Sequence, residues 1–189
     1  MGISMAVKNP KRFRYHSSSF AKFPDGTDHI KLGGFHPENL LRGRHILYLA
    51  SFHNNDVTLQ QFYAFIVLLQ SFIESLTIVL PFYPVATMER VQEEGVIATA
   101  NCVSQLFSGL PSCGKPIRLM IYDIHTLQNR FYFSHGCIAN LVTTVPLLKK
   151  HLRDERPDIN CIAFPDVSIS YFFFILLLIL LFFPSFLTQ

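Results

Sequence analysis

The chain has 189 residues and a mass of 21.7 kDa, the size of a single domain. Half of the residues are hydrophobic and only 15% are charged, with 9 glycines and 11 prolines, which excludes a disordered polyelectrolyte, a collagen-like chain and a coiled coil. The net charge of +3 is unevenly placed: residues 1–22 carry Lys8, Lys11, Arg12, Arg14 and Lys22 and no acid, leaving the rest of the chain nearly neutral. A basic arm without a positive stripe across a folded face argues against a nucleic-acid partner. Cys102, Cys113, Cys137 and Cys161 follow no zinc spacing, and no cleavable leader precedes them. Four reduced thiols in an intracellular protein are therefore expected.

In chain order, residues 1–22 read as a basic flexible arm that leads through Ser17-Ser18-Ser19 to a turn at Pro24-Asp25-Gly26. Ile46–Phe52 is a short apolar run bounded by Gly43 and Asn54-Asn55-Asp56, the pattern of a buried strand. Over Thr58–Ser75, Leu59, Phe62, Phe65, Ile66, Leu69, Phe72 and Ile73 recur at spacings of three and four. That predicts an amphipathic helix, with Asp56 as its cap. Leu76–Pro81 predicts the next strand, Gly95–Leu106 a helix ending near Gly109, and Ile117–Ile124 a third strand. Val145–Leu152 predicts a short helix with Pro146 in its first turn and Lys149, Lys150, His151 and Arg153 toward its end. Ile159–Phe164 reads as a fourth strand. Alternating strands and helices, with strands apolar on both faces, predict an α/β fold: a doubly wound parallel sheet covered on both sides.

Ligands of open parallel sheets bind beyond the carboxyl ends of the strands. Three polar stretches fall there: Pro81–Arg90, Asp123-Ile124-His125 and Pro165-Asp166. In an extended segment Asp123 and His125, two apart, project to one side. With a second carboxylate they could hold a divalent metal or polarise a phosphate-bearing substrate; equally, Asp123 could simply cap the following turn. On this reading His125 and Asp166 sit at neighbouring strand ends, able to share a metal directly or through water.

The stretch Tyr122-Asp123-Ile124-His125-Thr126-Leu127-Gln128-Asn129-Arg130-Phe131-Tyr132-Phe133 resembles the D-[LI]-H-A segment of the ribose-phosphate diphosphokinases, the phosphoribosyl pyrophosphate synthetases, and is most similar to the plant-type forms. Five further stretches agree with that family in order and spacing: Phe23-Pro24-Asp25-Gly26, Arg42-Gly43, Leu49-Ala50-Ser51-Phe52, the Pro81–Gly95 segment, and Ala163-Phe164-Pro165-Asp166. The resemblance covers residues 23–166 and implies the amino-terminal half of a two-domain, phosphoribosyltransferase-like enzyme. It implies transfer of the β,γ-diphosphoryl group of ATP to ribose 5-phosphate with Mg2+, and assembly into homo- or hetero-oligomers with family members in the cytoplasm. It also makes His125 the catalytic residue, gives His125 and Asp166 to the magnesium site, and matches Phe23 and Asp25 to the loop that meets the adenine of a neighbouring subunit's ATP. Arg90 is the arginine left in the phosphate-gripping segment.

The departures from the family matter as much. Thr87-Met88-Glu89 stands where many members have R-Q-D, and Thr27 takes the usual acidic position of the family's F-x-[DN]-G-E loop, which weakens the adenine contact. The family's first strand and helix are not recognisable in residues 1–22. Its mobile catalytic loop and ribose-phosphate cradle, which would follow Asp166, do not occur. Phosphoryl transfer depends on positioning and charge neutralisation, so the resemblance implies a truncated chain that is inactive alone. The different-class alternative is a non-catalytic, membrane-attached subunit that assembles with full-length members.

Val167–Gln189 carries no charge, and Tyr171–Phe183 is an unbroken apolar run of 13 residues. Three readings remain open for it: a tail anchor of borderline length, a buried core segment, or translated intron sequence. The expected conformation is a helix over about residues 169–183 projecting from the domain.

Overall fold

The computed structural model describes residues 2–156, 158 and 159. The chain divides into two units, residues 1–142 and 143–189. The first begins with α1 (Gly2–Lys8) and an antiparallel hairpin of β1 (Ser19–Lys22) and β2 (Asp28–Lys31). Then follow β3 (His45–Leu49), α2 (Asn55–Leu69), β4 (Ser75–Leu80), α3 (Thr99–Ser108), β5 (Ile117–Tyr122), a 3-10 helix (Leu127–Tyr132) and β6 (Cys137–Val142). The four strands β3 to β6 form one parallel sheet in chain order. The second unit contains α4 (Val145–Asp154), with Pro146 in its first turn and His151 and Arg153 in its last. The α/β class and the parallel sheet are therefore as expected.

Within the first unit, two helices pack on the sheet. Leu76, Ile78 and Leu80 of β4 and Ile117, Leu119 and Ile121 of β5 are buried in one cluster with Phe62, Phe65 and Leu68 of α2 and Phe107 of α3. Both helices thus lie on the same face, as right-handed crossovers that always step in one direction require. On the opposite face Leu47, Leu49 and Ile138 are exposed. In the first unit α2 and α3 therefore close one face of the sheet.

The core is aromatic. Phe107 stacks on Phe52 and Phe65 and meets Phe62 at 4.9 Å between ring centroids, and Tyr48 packs edge-on to Phe65. On α2 the predicted apolar positions separate: Phe62, Phe65 and Leu69 are buried, as is Ile73 just beyond the helix, while Leu59, Ile66 and Phe72 are exposed. The α2 cap is Asn54 rather than Asp56, because the Asn54 side chain accepts from the Val57 amide at 2.8 Å. Asp56 falls in the first turn instead, where a carboxylate meets the positive end of the helix dipole. Helix α3 begins at Thr99, so Gly95 to Ile97 remain in the preceding loop.

Sequence reading missed β6 because its alternation is inverted. Cys137 and Ala139 face the core while the larger Ile138 faces outward beside Asn140. The expected strand Ile159–Phe164 and the tail helix over residues 169–183 lie, apart from Ile159, outside the described residues. The segment read as a flexible arm contains α1 and β1, and its course is fixed by a glycine. A Cβ on Gly33 would meet the Ser17 carbonyl oxygen at 2.2 Å, and the Gly33 amide donates to Ser18 Oγ at 3.1 Å.

Phe107, fully buried in the aromatic cluster, should cost about 3–5 kcal/mol when replaced by Ala. Leu59→Ala, on the outer side of α2, should stay within about 0.5 kcal/mol. Urea midpoints at constant slope measure both; equal losses would contradict a core centred on the aromatic cluster.

Candidate nucleotide-phosphate site

The carboxyl ends of the parallel strands carry the loops that matter. After β4 the chain leaves the sheet through residues 81–98, and after β5 through Asp123–Thr126 into the 3-10 helix. Asp123 has a φ of +45° and lies one residue past the end of β5. The chain is therefore not extended there, and the two-apart argument for Asp123 and His125 fails. A left-handed backbone at a non-glycine residue is uncommon and tends to occur where a loop is tightly constrained. The Asp123 amide is held by the Val142 carbonyl at 2.9 Å, next to the end of β6. His125 is exposed just beyond it.

The loop after β4 is anchored by Tyr83. This side chain is buried, its hydroxyl donates to the Ala100 carbonyl at 3.2 Å and lies 3.3 Å from Ser104 Oγ, and burial pushes its pKa up to about 12. Tyr83 is thus a protonated tether between loop and α3. Arg90 lies seven residues on and is 75% exposed, with Nε 3.3 Å from Glu89 Oε1. The Glu89 side chain is only 8% exposed, and its second oxygen, Oε2, is buried with no hydrogen-bond partner among the described residues. A buried carboxylate next to an exposed guanidinium fixes one end of that guanidinium and leaves its outer edge to solvent.

The two loops are fastened to each other. Fully buried Asn129 donates through Nδ2 to the Ala86 carbonyl at 3.2 Å, and Tyr132 donates its hydroxyl to the Glu89 carbonyl at 2.7 Å. Both donors sit on the 3-10 helix that follows His125; of the acceptors, Ala86 directly precedes the Thr87–Arg90 stretch and Glu89 lies within it. Asn129 and Tyr132 were legible only as letters of a familiar segment; nothing in their spacing signals the tie.

The hairpin carrying Phe23 and Asp25 is tied to α2. Lys22 pairs with Asp56, and Gln60 Nε2 donates to Asp28 at 2.6 Å, so β1 and β2 are held at the first two turns of α2. Those turns begin where β3 ends, at the same end of the sheet as the other two loops. Phe23 is exposed and stacks on His29 with ring centroids 4.4 Å apart. Gly26, at φ +85°, makes the turn. Asp25 accepts from both the Thr27 hydroxyl at 2.7 Å and its amide at 3.0 Å, and those bonds hold its pKa below the usual carboxylate value. Thr27 therefore engages Asp25 within the turn, a role that an acid there could not take. Asp166 lies outside the described residues.

Among the described residues no three His, Cys, Asp or Glu side chains converge on a metal position. Mg2+ prefers oxygen ligands and is commonly held by one or two carboxylates and substrate phosphates. Of the two residues expected at the magnesium site, His125 supplies a ring nitrogen and Asp166, the carboxylate, lies outside the described residues.

Two substitutions check the geometry. Tyr132→Phe should lower stability by about 1 kcal/mol, the worth of one hydrogen bond, read as a shift of the urea midpoint; no change would show that the loops are not coupled through it. Thr27→Val should raise the Asp25 pKa. Asp25 ionisation favours the fold above the unfolded-state pKa, and this contribution is lost as pH falls through the lower folded-state value. In the variant the contribution should be smaller and its loss complete at a higher pH; carboxyl-carbon NMR of Asp25 reads the raised folded-state pKa, and an unchanged titration would contradict the Thr27 bonds as its cause.

No protein-family model matches the chain. It is 40% identical over 153 residues to ribose-phosphate pyrophosphokinase 4 of Oryza sativa subsp. japonica, a match covering 79% of this chain and 46% of that protein. It is 40% identical over 153 residues to the chloroplastic ribose-phosphate pyrophosphokinase 3 of the same plant, covering 36% of it, and 38% identical to ribose-phosphate pyrophosphokinase 4 of Arabidopsis thaliana, covering 44% of it. The crystal structure of phosphoribosylpyrophosphate synthetase from Mycobacterium smegmatis superposes with a TM-score of 0.60 at 20% identity, over 82% of this chain and 49% of that one, which shows a shared fold. Over most of its length the chain is thus a relative of the plant ribose-phosphate pyrophosphokinases, and it spans less than half of theirs.

Proposed function

We propose that this chain provides the ATP-facing half of a ribose-phosphate diphosphokinase site. The observation that carries the reading is the fastening of the Arg90 loop to the His125 loop at the carboxyl end of a parallel sheet, in a chain 40% identical to ribose-phosphate pyrophosphokinases. Arg90 would neutralise phosphate charge. His125 would hydrogen-bond the same polyphosphate, and Phe23 with Asp25 would serve the adenine end of a nucleotide bound to a neighbouring subunit. Mg2+, held by ATP oxygens with His125 through water and with Asp166, would withdraw charge from the group transferred.

Transfer of a diphosphoryl group requires the acceptor hydroxyl to be positioned against the phosphorus, and positioning supplies most of the rate. On this reading the cradle for ribose 5-phosphate is supplied by residues other than 23–166, and that domain alone is non-catalytic. The chain spans under half the length of each relative. The domain over residues 23–166 acts in the cytoplasm, or in a plastid as the name of the chloroplastic relative suggests. Among the described residues no helix is long and apolar enough to cross a membrane. Membrane attachment through residues 167–189 therefore rests on their composition alone, and fractionation of chains with and without that segment tests it.

The purified chain, given Mg-ATP and ribose 5-phosphate, should form no detectable phosphoribosyl pyrophosphate. Mixed with an intact plant relative, it should alter that enzyme's rate, and His125→Ala should abolish the effect. Turnover by the chain alone that disappears in His125→Ala would overturn the non-catalytic assignment.

A further inference from the structure

Strand β3 ends the sheet: β4 pairs along one side of it, and no strand pairs along the other among the described residues. In a parallel ladder each strand turns alternate backbone N–H and C=O groups toward a given neighbour, so the remaining groups of His45–Leu49 face the open side. No backbone partner for those groups occurs among the described residues. An unpaired edge of this kind is a template for another strand, and proteins usually block it with charge, a bulge or a covering segment.

Here the edge opens into a cavity of ≈ 840 Å³ that all five β3 residues line. Leu41, Leu47, Leu49 and Leu68 make its apolar surface, and Leu47 and Leu49 are 43% and 42% exposed. The facing wall is the arm, which contributes Arg12, Arg14 and His16. That wall is held in place by the close approach of Ser17 to Gly33. No Asp or Glu lines the cavity, and Arg12 and Arg14 form no ion pair among the described residues. Arg12 instead lies 5.7 Å from the Phe13 ring centroid.

We propose that the β3 edge and the basic arm facing it form a docking groove for an extended acidic peptide, which adds as a fifth parallel or antiparallel strand beside His45–Leu49. Each feature selects part of that occupant. Unpaired backbone groups call for an extended peptide, because an aliphatic chain offers nothing to bond them. The leucines call for apolar side chains at alternate positions on one face, and Arg12 with Arg14 call for carboxylates on the other. Five residues of strand span roughly 17 Å at about 3.3 Å each, so a peptide of five to seven residues matches β3. The groove is built from residues 2–77 and is separate from the Arg90 and His125 loops, so its test is independent of the activity proposed above.

The probe is an acetylated, amidated, dye-labelled heptapeptide alternating valine and glutamate, titrated into the full chain by fluorescence anisotropy. Binding is expected to weaken at least tenfold when lysine replaces glutamate, and at least tenfold in the Arg12→Gln/Arg14→Gln double variant with the acidic peptide. Methylation of alternate peptide nitrogens, which removes the strand-pairing donors, should abolish it. Absence of binding, equal binding of the acidic and lysine peptides, or undiminished binding of the N-methylated peptide would overturn the proposal. Protection of the β3 amides from hydrogen exchange that rises with protein concentration, with no competition by the acidic peptide, would assign the edge to a second copy and overturn it as well.

Discussion

The hydrogen bonds from Asn129 and Tyr132 to the carbonyls of Ala86 and Glu89 are the constraint on which the site depends. A parallel sheet delivers its loops to one end, but each loop is long enough to wander. The loop after β4 runs from residue 81 to 98, and loops of that length without secondary structure are uncommon unless they bind something. Tyr83 fixes its near end against α3, and the 3-10 helix fixes its middle. Arg90 and His125 are consequently carried on loops fastened to each other, although 35 positions separate them in the sequence.

The price of that constraint is visible in two buried oxygens, Asn129 Oδ1 and Glu89 Oε2, which have no partner among the described residues. Buried acceptors without partners destabilise a fold, and they persist where a ligand or ordered water completes them. Both lie at the tie between the loops and neither lies in the aromatic core. In the first unit the described core is made from α2, α3 and the inward residues of the strands, and stability and the candidate site are housed on different parts of the same small unit.

The sheet and its two covering helices could be read from apolar runs and three-four spacing, because burial of those residues is what forms the elements. Helix ends, caps and β6 could not. Asn54 outcompetes Asp56 as cap through a local geometry that residue type alone leaves open, and β6 hides because its small residues face inward and Ile138 outward. At the site, His125, Arg90, Phe23 and Asp25 were legible as letters of a known segment order. Their supports were not: Asn129, Tyr132 and Tyr83 act through bonds to backbone carbonyls 17 to 43 positions away, which no pattern along the chain records. The pairing of Asp123 with His125 failed for a local reason, the left-handed backbone at Asp123.

The central claim is that the loops bearing Arg90 and His125 form one phosphate-binding surface. Amide NMR of the full chain titrated with Mg-ATP tests it most directly. The account predicts saturable shifts, with a single apparent affinity, over residues 81–90 and 123–130, and loss of both sets in Arg90→Gln. Shifts confined to one loop, different affinities for the two, or none at either would contradict it.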